Sequence, residues 1–536
     1  MPKSSGKASA SSSKKIMIYA VIGIVAVAAI YLSLSLRSTP QINMQDTTNN
    51  QQVALQRFEQ QFCGNNTAPN SNAYISEVSL PSKCEMPLGI AIDGDKVWYV
   101  STKQGLLGVY NSTASNFSEY EIPSWPSRSL PFVGVPSWSM VWAVKPDGKG
   151  NIWFTDQNNT IWRFNESNKL FDMFKVPANY PSALDFDSQG NLYLLGINSH
   201  SIFYGNVSEM RNGTSDGFTE IKLPTDAFSG TNLELVTAGG LVVDKERNDL
   251  WTSLLDFQDS KGQLFQYDIN TKKVVRTVNL PPDLGAPVGM ELDNSGNLWV
   301  ADHGTSTFFR YDPITDSITK FVTSIASPKI YGGSTPPTAY TLPYWIEKGG
   351  DGTLWFNEHT GNKIARFDPE NLTLVEYWIP SQNRAWSLCP EGTSSCGIAN
   401  AMQFTVNPNN DLWFTEWTEN KIGKLNSSMP VPISVSVPNE ITVAKGQSAE
   451  IKITINASSD FSGQMMDAGT FMPNGALGNS TGIFSEETVA FSAGSSKEVS
   501  YTLTPAEDLK MGTYMIMLGA GNDDISVMKA VKVNVI

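Results

Sequence analysis

The chain has 536 residues, with 38 Lys+Arg against 52 Asp+Glu and a net charge of −14. Five of the bases and no carboxylate fall in the first 37 positions, so the remainder carries −19, a body that repels phosphate backbones and excludes nucleic-acid binding. With 17% charged and 10% aromatic residues, 42 Gly and 30 Pro, it is neither disordered nor coiled, but turn-rich and globular.

The N-terminal tail, 1–15, carries Lys3, Lys7, Lys14 and Lys15. Residues 16–36 (IMIYAVIGIVAVAAIYLSLSL) form an uncharged run of 21, long enough to cross a bilayer as a helix. The following SLSLRSTPQ has no clean small-x-small cleavage site, so the run reads as an uncleaved anchor. The lysines precede it, which places the N-terminus in the cytoplasm and residues 38–536 outside the cell membrane. Residues 37–72 are a polar stalk with a short helix expected at 53–62.

A repeat follows. An apolar strand, an Asp/Gly/Asn turn and an aromatic-led strand recur around Trp98, Trp153, Tyr193, Trp251, Trp299, Trp355 and Trp413, at spacings from 40 to 58 residues. That is the period of four-stranded propeller blades, and there are seven copies. An outer strand ends most copies (SEYEIPS, DMFKVPA, TEIKLPT, RTVNLPP, ITKFVTS, VEYWIPS), but the seventh stops at Leu425 without one. A matching ISEVSLPS at 75–82 precedes the first copy, so an N-terminal strand is expected to complete blade seven and remove two open sheet edges. The propeller then spans 73–429. From 430 to 536 the pattern changes to period-two strands, with Ile451, Ile453 and Ile455 alternating with Lys452 and Thr454, which reads as an immunoglobulin-like β-sandwich. The expected fold is all-β: one transmembrane helix, a seven-bladed β-propeller, and a sandwich.

The seven aromatics read as inter-blade core, and the Asp-x-x-Gly-Asn turns as hairpin chemistry, not calcium loops. The position three residues after each aromatic reads Ser101, Asp156, Gly196, Leu254, Asp302, Glu358 and Glu416. It ends the second strand, where the next loop opens on the mouth of the central channel. Two of the three histidines, His303 and His359, follow two of these acids. Blades five to seven are neighbours, so Asp302, His303, Glu358, His359 and Glu416 are expected to converge, with Trp417 and Trp386 as apolar walls. Such a group is suited to a divalent cation and a proton transfer; capping of strand-end amides by the same acids is the structural alternative.

The segments LWFTE…NKIGK and LWFNEHTGNKIARF resemble the repeat of the streptogramin B lyase (virginiamycin B lyase) family across about 75–425. The resemblance implies a seven-bladed propeller and, in the enzymes, magnesium-assisted opening of a cyclic depsipeptide at its ester by elimination. Carried onto matching positions, it implies Glu358 and Glu416 on the metal side with Asp302, His359 as base, and His303 as a second ligand or base. Several blades lack the acid, and the same repeat serves surface proteins without that activity.

All four cysteines lie beyond the anchor, in number and place suited to disulfides. Local pairing of Cys63 with Cys84 and Cys389 with Cys396 is expected, with cross-pairing open because the loops before blades one and seven are near each other. Eleven N-x-S/T sequons, at Asn65, Asn111, Asn116, Asn158, Asn165, Asn206, Asn212, Asn371, Asn426, Asn456 and Asn479, also lie beyond it and suit a glycoprotein. Seven methionines after residue 460 read as core filling, not a copper site. The function expected is a surface module binding a small molecule, glycan or protein, with a magnesium-dependent carbon–oxygen lyase as the alternative.

Overall fold

The computed structural model describes residues 63–64, 68–125, 130–132, 135–333, 340–393, 396–469 and 477–536. The expected tail at 1–15, the anchor at 16–36, most of the stalk and Asn65 lie outside the described residues. Among the described residues no helix is long and apolar enough to cross a membrane.

Local turn chemistry builds the repeat. In blade two Asp147 ends the inner strand and its Oδ1 accepts the amides of Lys149 and Asn151 at 2.8 and 3.1 Å, while Oδ2 accepts the Trp153 indole N–H at 3.2 Å. Asp293 repeats this in blade five, with Ser295, Asn297 and the Trp299 indole each at 2.9 Å. The glycine of the turn, Gly150 or Gly296, sits at φ +82 or +84, which a β-carbon disfavours. Blade six has Gly349 where the aspartate would stand, and the buried Trp355 indole N–H has no acceptor among the described residues. The same logic governs the outer turn. Asn165, Asn206 and Asn426 accept the hydroxyls of Ser167, Ser208 and Ser428 at 2.6–2.7 Å, and Asp268, Asp312 and Asp368 fill that turn in blades four to six. Turn chemistry is sufficient to bring Asn-x-Ser to these three positions.

Seven antiparallel four-stranded blades result, one per repeat, six as separate sheets and blade six as part of a larger one. Each anchoring aromatic is at most 4% exposed. Most reach an aromatic of the next blade: Trp98 to Phe164 at 5.7 Å, Trp251 to Tyr311 at 5.7 Å, Trp299 to Phe367 at 5.2 Å and, across the seam, Trp413 to Tyr110 at 5.5 Å. The inter-blade reading of the tryptophans holds. The seam is closed as expected: Ile75–Ser79 pairs with Lys421–Leu425 in blade seven, Ile75 opposite Leu425 and Ser79 opposite Lys421.

The C-terminal strands form two facing sheets with Ile451, Ile453, Val499, Tyr501, Ile516, Leu518, Val531 and Val533 between them. They do not hang from the propeller as a spacer. The last strand, Ile525–Val535, pairs with the outer strand of blade six, Thr373–Trp378, with Thr373 opposite Lys529 and Tyr377 opposite Ile525. Blade six and one sheet of the terminal unit are thereby one nine-stranded sheet. Met515, Met517 and Met528 pack with Trp299, Phe321, Phe367 and Leu374, so these thioethers fill the joint's core.

Candidate ligand site at the channel mouth

The residue that follows each second strand lies at the mouth. Thr102, Gln157, Ile197, His303, His359 and Trp417 donate their amides to the residue leading the inner strand of the same blade, at 2.8–3.3 Å. Phe257 completes the ring in blade four. Inside it lies an apolar cluster drawn from blades around the channel, including Met86, Met140, Trp142, Val288, Tyr344, Met402 and Trp417, with Tyr180, Phe257, Trp345 and Trp386 packed against it. The rings of Trp142 in blade two and Tyr344 in blade six are 6.2 Å apart, so side chains span the channel at this level. These inner-strand residues were not among the expected site residues. Their signal is the recurring proline at the first position of the strand, in MPLG, YPSA, APVG and LPYW, where no ladder amide is needed.

The two histidines come together. Their ring centroids are 5.6 Å apart at 19°, and His303 lies 4.5 Å from Tyr344. Both are about one-twentieth exposed. Burial, with His359 beside it, pushes the His303 pKa down to about 3. Burial pushes His359 down to about 4 against the opposing bond to Asn400. Both imidazoles are neutral at pH 7. His359 Nε2 lies 2.9 Å from Asn400 Oδ1, and Asn400 Nδ2 in turn donates to Thr418 Oγ1 at 3.3 Å, so Nε2 carries the proton. His359 Nδ1 keeps its lone pair and has no hydrogen-bond partner among the described residues. The rings of Trp386 and Trp417 are 5.9 Å apart at the same cluster.

The carboxylates do not join them, which corrects the expected convergence. Successive residues of a strand point to opposite sides. Glu358 and Glu416 therefore turn into their blades while His359 and Trp417 face the mouth. Glu358 Oε2 is 2.9 Å from Lys363 Nζ, and that ammonium is 3.1 Å from Glu376 on the outer strand. Burial, with Glu376 beside it, holds the Glu358 pKa well above the ordinary range. Burial also raises Glu376, but Lys363 and the hydroxyls of Ser324 and Ser526 outweigh it and hold it low. The proton of the trio thus rests on Glu358. Blade seven repeats the trio with Glu416, Lys421 and Glu77, the last on the closing strand and 2.8 Å from Lys421 Nζ. Asp302 accepts the Ala286 amide at 2.7 Å and the Thr305 hydroxyl at 2.5 Å, the capping role held open above. Burial pushes its pKa up to about 6. In blade four the second strand runs Asp249–Asp256, and its terminal acid is Asp256, not Leu254.

A magnesium ion needs several oxygens at one point. Among the described residues no group of three or more His, Cys, Asp or Glu side chains is placed to hold a metal. Glu358 already has a lysine ammonium at contact distance, so the proposed ligands do not fit the cation.

Two disulfides are present, Cys63–Cys84 and Cys389–Cys396, with Cα separations of 4.4 and 5.8 Å. The first packs into the mouth cluster; the second closes the loop that follows Trp386.

No protein-family model matches the chain, and no curated protein does. Among solved structures it is similar to a streptogramin B lyase (22% identity, TM-score 0.48, covering 66% of this chain and 99% of that one). It is also similar to virginiamycin B lyase from Staphylococcus aureus (20%, 0.46, 66% and 98%). Hydrazine synthase from Kuenenia stuttgartiensis matches to a like extent (10%, 0.46, 66% and 98%). The propeller here rests on its own blades.

Proposed function

We propose that the chain is a membrane-anchored, extracellular recognition module whose propeller mouth binds an uncharged, largely apolar ligand. In this reading residues 16–36 span the membrane, 37–72 form the stalk, the terminal unit is an immunoglobulin-like sandwich, and the sequons carry glycans. The observation that supports it best is the division of labour at the second-strand ends. Glu358 and Glu416 are turned into the blades beside lysines and Asp302 caps an amide and a hydroxyl, while the mouth keeps neutral imidazoles and aromatic surface. Such a surface binds apolar rings and offers no charge complement to an ionic ligand.

One observation favours the second reading, a lyase. His359 Nδ1 is a buried, unpartnered lone pair beside the mouth, suited to take a proton from a bound substrate. Incubating the full chain with a streptogramin B-type cyclic depsipeptide distinguishes the two. Binding by ligand-observed NMR that is lost on Trp386→Ala, with an unopened ring by mass spectrometry, is the expected result. Ring opening abolished by His359→Ala would replace the module by the enzyme. Absence of both would remove this ligand class from the mouth.

A further inference from the structure

Where the terminal unit meets blade six, the two enclose a cavity of about 230 Å³ that is separate from the channel. Five stretches of chain wall it: Asn72 before the closing strand, Ser327 and Lys329 between blades five and six, Asn362 in a turn of blade six, Trp378 at the end of that blade, and Asp523 and Asp524 in the last hairpin. The walls are held in place. Asn72 Nδ2 donates to Trp378 O at 2.9 Å, the Trp378 amide donates to Asp524 O at 3.1 Å, and Ile330 O accepts from Ser387 Oγ at 2.7 Å and the Gly397 amide at 3.0 Å. The opening is on the surface, since Lys329 and Asp523 are 54% and 73% exposed where they pair at 2.5 Å.

The chemistry of the walls selects a ligand. Binding cavities favour domain joints, and this one falls just below the volume range of drug-sized ligands, which leaves room for a single ring. Asp523 already matches the Lys329 charge and Asp524 adds a negative one, so an anion is disfavoured. The half-buried Trp378, its ring 5.1 Å from the buried Lys363 ammonium, supplies an apolar wall, and around it stand acceptors (Asp523, Asp524), a hydroxyl (Ser327) and a cationic donor (Lys329). A ligand that uses all of these needs an apolar face and groups that each donate and accept, which is the chemistry of a polyol ring.

We propose that this cavity binds one neutral pyranose ring at the end of a glycan. The site stands apart from the mouth and does not rest on the reading given for it. The test is ligand-observed NMR saturation transfer from the full chain to the methyl glycosides of glucose, galactose, mannose and N-acetylglucosamine. Ring protons of at least one are expected to be saturated. Trp378→Ala should abolish the signal, and Asp524→Asn should weaken affinity about tenfold, the equivalent of one hydrogen bond to a charged group. His359→Ala at the mouth should leave the signal unchanged. No transfer to any of the four, or transfer that survives Asp524→Asn at full strength, overturns the proposal. If Trp378→Ala fails to fold, Asp524→Asn decides it alone.

Discussion

The outer strands of blades one and six occupy the same place in the repeat and live in opposite surroundings. In blade one, Asn116–Glu121 (NFSEYE) is half-buried at best, with three of its six residues exposed. In blade six, Thr373–Trp378 (TLVEYW) has four consecutive buried residues, because the terminal strand covers its edge. An edge strand left to solvent protects itself with charge and polarity; one that is paired carries apolar side chains instead. The pairing also changes what a carboxylate does. Glu376 accepts the Ser324 amide and hydroxyl, the Ser526 hydroxyl from the terminal unit and the Lys363 ammonium. Blade five, blade six and the sandwich therefore meet at one side chain with no solvent exposure.

The largest effect expected to sharpen this contrast is deletion of residues 430–536. It uncovers the blade-six edge together with Trp299, Phe321 and Phe367, which now pack on Met515, Met517 and Met528. The truncated chain should lose its cooperative melt by circular dichroism or precipitate. A melt within a few degrees of the full chain would break the contrast and return the sandwich to the status of a spacer.

Next comes Glu376→Ala, which takes one carboxylate from the buried Lys363 ammonium and leaves the Ser324 amide and the Ser324 and Ser526 hydroxyls without their acceptor. A cost of about 3–5 kcal/mol is expected, against about 0.5 kcal/mol or less for the exposed Glu121→Ala in blade one. The shifts of the two urea midpoints check it, and equal shifts would refute the hub. Ser526→Ala removes a single charged hydrogen bond and should fall between them, at about 1.5–3 kcal/mol.

The smallest effect is on pH. Glu419, beside the closing trio, is raised by burial to about 7, and Asp302 to about 6. Their protonated forms are favoured in the fold, so the stability they contribute is complete below the ordinary carboxylate range and is lost as pH rises through 6 to 7. The mouth histidines act in the opposite sense. Their pKa values are depressed to about 3 and 4, so their contribution is complete above the ordinary imidazole value and falls away on acidification below it. A melting temperature that peaks in the mildly acidic range is the expected outcome. Glu419→Gln should flatten the alkaline side and His359→Phe the acid side; an unaltered profile in both would show that other groups set it.

Much of this was legible from letters alone. The turn acids, the Trp positions and the spare N-terminal strand are local or periodic features, and each maps onto a sheet or a seam as expected. The place of the histidines was legible too. The orientation of Glu358 and Glu416 was not, because adjacency in sequence suggested adjacency in space, whereas a strand sends neighbours to opposite sides. Lys363 and Lys421, five residues on, were the available signal: each lies directly across the hairpin from its glutamate.

Sequence by itself determined the number of blades, the closure of the ring and the two-sheet character of the C-terminal region. These follow from turn chemistry and side-chain periodicity, which act over a few residues or repeat along the chain. Only the tertiary structure decided that the terminal strand docks on blade six, that charge is buried in trios within blades six and seven, and that a cavity lies at the joint. Those depend on which edges meet across some 150 residues of chain, as from Glu376 to Ser526, where pairing is chosen by shape and by the cost of leaving a buried charge or a sheet edge without a partner.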